Sequence, residues 1–303
     1  MDLLRTLCEL FGPSGNEIEV RDFLIDYTRQ HQNGWTVKPE ILYGEEFQDC
    51  LMLVFGKPRT AVFAHMDSHG FMVRYEDQLI PIGNPETGKN TILTGHDSLG
   101  PVECGLIENK NGSLRYKFGR TIETGTQLVF KCHFRETDQM VQSSYLDNRL
   151  GVYVLLKLAE SLQNGVLVFS TWEEHGGGSV PYLANYIYNK IGIRQALIAD
   201  ITWVTDGVQA GSGVVISMRD RNIPRRSYLN NIISIADEFR VPYQLEVEGG
   251  GSSDGRELQL SPYPIDWCFV GAAEENVHSP DEMVSKEDIH SMIEIYRVLM
   301  EEL

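Results

Sequence analysis

Four short apolar runs in this 303-residue sequence each lead to a histidine or a carboxylate. Thr60-Ala-Val-Phe-Ala64 runs into His65-Met66-Asp67, and Val166-Leu-Val-Phe169 into Glu173-Glu174. Ala196-Leu-Ile-Ala199 runs into Asp200, and Pro264-Ile-Asp-Trp-Cys-Phe-Val270 into a loop that reaches His278. Apolar runs of this length, bounded by polar residues, read as buried strands. In open α/β sheets, sites form beyond the carboxyl ends of the strands, so these residues can converge although far apart in sequence.

Helical segments alternate with the strands. Residues 2–30 carry apolar side chains at helical spacing and break at Gly12-Pro13-Ser14-Gly15, which predicts two helices joined by a turn. Further helices are expected over 148–162, 182–189 and 227–239, and from 285 to the end; further strands over 50–55 and 71–75. The alternation predicts an α/β fold with a mixed or mostly parallel sheet. Residues 76–140 differ: Gly, Pro and Asn recur, and short β-like runs such as Leu114-Arg-Tyr-Lys-Phe118 and the stretch 127–134 replace any helical period. That texture predicts a small β-barrel inserted into a discontinuous main domain, residues 1–75 and 141–303.

Composition narrows the partners. A formal net charge of −17 argues against nucleic acid, because phosphate binding needs a basic surface. The five cysteines, Cys8, Cys50, Cys104, Cys132 and Cys268, form no Cys-x-x-Cys pair, so neither a disulfide framework nor a zinc ribbon is suggested. No apolar run approaches the ~20 residues of a membrane span. The amino terminus lacks a signal-peptide pattern, and the expected compartment is the cytoplasm.

The residue types at the strand ends suit metal chemistry. Two histidines with several carboxylates fit zinc, cobalt or manganese, and one carboxylate can bridge a metal pair. In His65-x-Asp67 the carboxylate can orient the imidazole. In Glu173-Glu174 one side chain can bind metal while its neighbour moves a proton. Singly these signals are weak: a lone His-x-Asp more often serves packing, and Glu-Glu pairs are common on solvated faces. Asp200 alone reads equally as a helix cap and His278 as a turn residue.

Taken in order, His65-x-Asp67, Leu146-Asp147-Asn148-Arg149-Leu150-Gly151, Glu173-Glu174, Asp200 and Val277-His278-Ser279 resemble the co-catalytic metallopeptidases. The β-rich block between Asp67 and Asp147 makes the chain similar to the M42 glutamyl aminopeptidase-like family. The resemblance spans nearly the whole chain, from Phe11-Gly-Pro-Ser-Gly15 to His278. It implies a zinc-exopeptidase-like catalytic domain holding two divalent metals, with zinc ahead of cobalt and manganese. By motif position, His65, Asp147 and Glu174 would hold one metal, and Asp147, Asp200 and His278 the other. Glu173 would be the general base and Asp67 the partner of His65. The implied reaction removes N-terminal residues from short peptides, and the implied state is a dimer-based homo-oligomer, extending to a twelve-subunit shell. Arg149 is expected to be structural, paired with a carboxylate.

His69, His175 and Asp254 carry no definite role on the sequence. His175 reads best as an exposed residue, and Asp254, in Gly249-Gly-Gly-Ser-Ser-Asp254, belongs near the site. A two-metal amidohydrolase of small acylated amino acids is the main alternative. A catalytically inactive metal-binding assembly protein is disfavoured by the intact ligand set. A polysaccharide hydrolase would leave the histidines unexplained.

Overall fold

The computed structural model describes residues 1–303. Its centre is a twelve-stranded mixed sheet. Ala61–His65 pairs in parallel with both Gly165–Ser170 and Gln195–Ile198, and the latter pairs in parallel with Asp266–Glu275. The sheet extends on one side through Gln48–Phe55 and Glu40–Gly44, both antiparallel additions. On the other side Asp266–Glu275 meets Glu282–Ser285, followed by Met140–Ser143 and Arg135–Glu136.

The alternation within each central strand explains the layering. Leu51, Leu53, Val62, Ala64, Leu167, Phe169 and Leu197 point to one face, where the helices Asp2–Glu9, Ile18–His31, Leu146–Ala159, Arg226–Phe239 and Lys286–Glu302 complete a core. Met52, Phe63, Val166, Val168, Ala196 and Ile198 point to the opposite face, against the shorter helices Val180–Tyr186 and Asp254–Leu260. Both faces are buried, as the unbroken apolar runs require.

A closed six-stranded barrel interrupts the sheet. Its strands begin at Gly70–Val73 and end at Gln127–Phe130, around a small core that includes Phe71, Leu93, Tyr116, Leu128 and Phe130. The barrel therefore starts and finishes earlier than the β-rich block 76–140. The strand expected over 127–134 stops at Phe130, and the chain after it rejoins the main sheet through Arg135–Glu136 and Met140–Ser143. Continuous β-like sequence crosses the junction, so no local signal marks it. No helix is long and apolar enough to cross a membrane.

Candidate metal centre and active site

His65 is the last residue of its strand and is 2% exposed. Its Nε2 lies 3.1 Å from Asp147 Oδ1 and 3.6 Å from Asp200 Oδ1. Asp200 follows the Gln195–Ile198 strand, and its Oδ1 accepts a 2.7 Å hydrogen bond from the Ile201 amide. Asp147 stands at the start of the Leu146–Ala159 helix, two residues after Tyr145, whose backbone is left-handed at φ 67°. Asn148 fixes these two elements together: its Nδ2 donates to the Ala199 carbonyl at 2.9 Å, and its Oδ1 accepts the Gly151 amide at 2.9 Å. Gly151 is required here, because a Cβ would lie 2.2 Å from that same carbonyl oxygen.

A second group lies alongside. His278 Nε2 is 3.2 Å from Asp147 Oδ2 and 3.5 Å from Glu174 Oε2, while His69 Nδ1 is 3.3 Å from Glu174 Oε1. The two sets, His65–Asp147–Asp200 and His69–Glu174–His278, each bring their donor atoms close enough to hold a cation. Asp147 faces both sets, one oxygen toward each imidazole. This grouping differs from the partition implied by motif order: Asp200, not Glu174, accompanies His65, and Glu174 accompanies His278. Motif order carries no information about which side of Asp147 a given strand end approaches.

Asp67 is fully buried and holds several parts in place. It accepts hydrogen bonds from Ser14 Oγ at 2.6 Å and from the Glu173 and Glu174 amides at 3.1 Å each, and its Oδ1 is 3.4 Å from His65 Nδ1. Burial disfavours its charge, but the His65 imidazole and these donors hold its pKa below the usual carboxylate value. Ser14 arrives because the chain at Gly12–Ser14 runs beside Ser68, exchanging backbone hydrogen bonds of 2.9 and 3.0 Å. That contact gives the Gly-Pro-Ser-Gly turn its structural purpose.

Glu173 Oε2 is 4.0 Å from His65 Nε2. Burial raises its pKa well above the ordinary value, opposed by His65 and reinforced by Asp200 and Glu174. Burial likewise moves Asp200 up to about 6. Burial works against a charged His278, yet Asp147 and Glu174 raise its pKa to about 10.

Sequence reasoning missed two buried carboxylates. Glu282 accepts the Asp147 amide at 3.2 Å, and Glu274, on the Asp266–Glu275 strand, has both carboxylate oxygens buried without a hydrogen-bond partner. Burial raises both well above the ordinary value. A glutamate directly after the apolar stretch Trp267–Ala273 is the available sign of Glu274; Glu282 follows a turn and has none. Of the unassigned residues, His69 is fully buried against Phe130, Tyr145 and His278, not solvent-facing. His175 is exposed, and its Nδ1 accepts the Gly83 amide from the barrel at 3.0 Å. Asp254 is buried and accepts from Ser170 Oγ; burial lifts it to about 7. Arg149 lacks the expected carboxylate partner: it is wholly buried, its Nε donates to the Leu7 carbonyl at 3.2 Å, and both terminal nitrogens are unpartnered.

The donor chemistry fits a pair of divalent cations. Imidazole and carboxylate donors converge without thiols, and the carboxylates crowd together with no Lys or Arg paired to them. A cavity of about 360 Å3 opens onto them, lined at this end by Asp147, Glu173, Glu174, Asp200 and His278. These donors lie beyond the strand ends of a mixed α/β sheet that a closed barrel interrupts.

The chain belongs to the M42 glutamyl aminopeptidase family, whose model matches residues 116–295, and it is thus a peptide-bond hydrolase. A protein of Acetivibrio thermocellus that carries an aminopeptidase assignment is 25% identical, covering 97% of this chain and 96% of its own. The lysyl aminopeptidase of Pyrococcus furiosus is 22% identical over 100% of this chain and 97% of its own. Among solved structures, a TET aminopeptidase from a marine sediment thaumarchaeote superposes with a TM-score of 0.88 at 18% identity, covering 100% of this chain and 97% of that one. The TET1 peptidase of Pyrococcus horikoshii, described as assembling into a tetrahedron or a large octahedral shell, gives 0.83 at 20% identity, covering 100% and 99%.

Proposed function

We propose that this chain is a two-metal aminopeptidase that removes the N-terminal residue from short peptides. The observation that carries the reading is Asp147, with one carboxylate oxygen 3.1 Å from His65 and the other 3.2 Å from His278. His65 and Asp200 would hold one cation with Asp147, and Glu174 and His278 the other, with zinc ahead of cobalt and manganese. The cations, when bound, polarise the scissile carbonyl and acidify water.

The remaining work falls to the chain's own groups. Glu173 takes the proton of the attacking water and returns it to the departing amine. A carboxyl whose proton affinity is raised by burial suits both halves of that exchange. Asp67 holds the backbone of Glu173 and Glu174 by two hydrogen bonds and faces His65, so it fixes base and ligand as one unit. The carboxylates at this end of the cavity also suit the free ammonium of a peptide, which favours exopeptidase over endopeptidase action.

We place the protein in the cytoplasm, in keeping with five unpaired cysteines. We also infer a dimer-based homo-oligomer, up to a twelve-subunit shell, built through the barrel. Met72, Ile80, Ile92, Leu99 and Ile107 are exposed there, and Met72 and Ile80 are direct cross-strand partners. Sedimentation showing only monomer would count against it. The activity is tested with aminoacyl-anilides and their N-acetylated counterparts, before and after chelation and metal return. Cleavage of free-amine compounds alone, abolished by chelation, supports the aminopeptidase. Cleavage of acetylated compounds alone would replace it with an amidohydrolase.

A further inference from the structure

We propose that the wall of the cavity remote from the metal ligands recognises a cationic side chain, so that lysine and arginine are the preferred N-terminal residues. This rests on the aminopeptidase reading and narrows it. The cavity that opens onto Asp147 and Glu173 continues to Asp220, Glu246 and Glu248. Against these three carboxylates stands one lining cation, Arg221, which is exposed. A substrate held by its amine at the metal end directs its first side chain into the remainder of this space.

Glu246 is central to that wall. It is only 3% exposed and lies on the strand Tyr243–Val247, directly across from Ser217 on Val214–Arg219. Thr202, on the strand that follows Asp200, donates its hydroxyl to one Glu246 oxygen. The carboxylate is thereby tied to the strand that begins directly after Asp200, a proposed metal ligand. Ser217, buried directly beside Glu246, lines the same cavity. No Lys or Arg forms an ion pair with Glu246, and an unpaired buried carboxylate is costly until a cation joins it. Burial accordingly raises the Glu246 carboxyl above its usual value.

The walls between suit the stem of such a side chain. Trp203 and Phe269 line the cavity, and Trp203 packs so closely on Gly251 that a Cβ there would meet its ring at 3.0 Å. An aliphatic stem can lie against these rings while its charged head reaches Glu246. A glutamate side chain would instead meet carboxylates, and a neutral one would leave Glu246 buried and uncompensated.

The test uses the metal-loaded full chain with Lys-, Arg-, Leu- and Glu-anilides, and calorimetry with lysinamide and norleucinamide, which keeps the aliphatic stem without the ammonium group. The expected kcat/KM for Lys and Arg exceeds that for Leu by about tenfold or more, with Glu lowest, and lysinamide binds about tenfold tighter than norleucinamide. In Glu246→Gln both ratios fall about fivefold or more. Should that variant fail to fold, Asp220→Asn with Glu248→Gln carries the same comparison. Leu turned over as well as Lys, or equal binding of the two amides, overturns the proposal while leaving the aminopeptidase intact. Absence of all turnover sinks the aminopeptidase reading instead, and the calorimetric ratio still decides the wall.

Discussion

The two halves of the candidate centre are built differently. His65, Asp147 and Asp200 are all at most 6% exposed and stand on, or directly beside, sheet strands and the long helix behind them. Asn148 and Gly151 lock those elements at the Ala199 carbonyl. The neighbouring half depends on loops. His278 adopts a left-handed backbone at φ 64°, and its Nδ1 lies 3.1 Å from the carbonyl of Asn84 in the barrel. Glu174 precedes His175, which accepts the Gly83 amide, and His69 stands at the barrel's entrance. One half is thus set by the sheet, the other by the way the barrel docks on it. Backbone strain at His278 is kept in place by that docking.

The difference leads to graded expectations. Asp147→Asn, which weakens the residue common to both halves, should abolish stoichiometric binding of both metals and lower kcat/KM by about 10^4-fold or more. Retention of both metals on elemental analysis would remove Asp147 from the bridging role. Glu173→Gln should lower kcat by about 10^3-fold with metal content unchanged. Loss of metal in that variant would make Glu173 a ligand. During slow chelation the loop-built half should release its metal first, with an affinity about 10–100-fold weaker than the sheet-built half, because supporting contacts set affinities on that scale. Simultaneous release would erase the distinction. Gly83→Ala should have the smallest effect. Gly83 sits at φ 68°, and an added Cβ would lie 3.0 Å from the Glu174 carbonyl oxygen and 3.1 Å from His69 Cβ. We expect the loop-built half alone to lose about tenfold in affinity, with a cost of about 1 kcal/mol in stability, read by metal titration and thermal melting.

The same contrast governs what the sequence discloses. The strands under the sheet-built half announce themselves as apolar runs such as Thr60–Ala64 and Ala196–Ala199, because burial on both faces demands uninterrupted apolar residues. The mixed α/β fold with a barrel was legible with them, and the side chains at their ends lie together in the structure. Glu40–Gly44 and Tyr243–Val247 lie at the margins of the sheet and mix polar with apolar residues, so periodicity does not find them, whereas Val214–Arg219 offers only the short apolar run Val214-Val-Ile216. The strand Ile201–Trp203 is too short to leave a pattern. The division of ligands between the two halves depends on side-chain direction, which spacing along the chain does not encode. Glu274 and Glu282 were invisible for a related reason: their significance comes from burial beside Asp147, not from any motif.

The insertion of the barrel also bears on how the molecule assembles in time. Barrel partners such as Leu93 and Cys104 are close in sequence, whereas the central sheet joins Ala61 to Val166 and Ala196 to Trp267 across long intervals. Contacts between near neighbours close at lower entropic cost and form faster than distant ones. The barrel should therefore fold ahead of the sheet it interrupts, holding His69 and Gly83 ready before Asp147 and Glu174 arrive. Pulse-labelled hydrogen exchange would then find amides of residues 70–130 protected while those of 165–170 and 195–198 still exchange. Catalytic competence would be the last property the chain acquires.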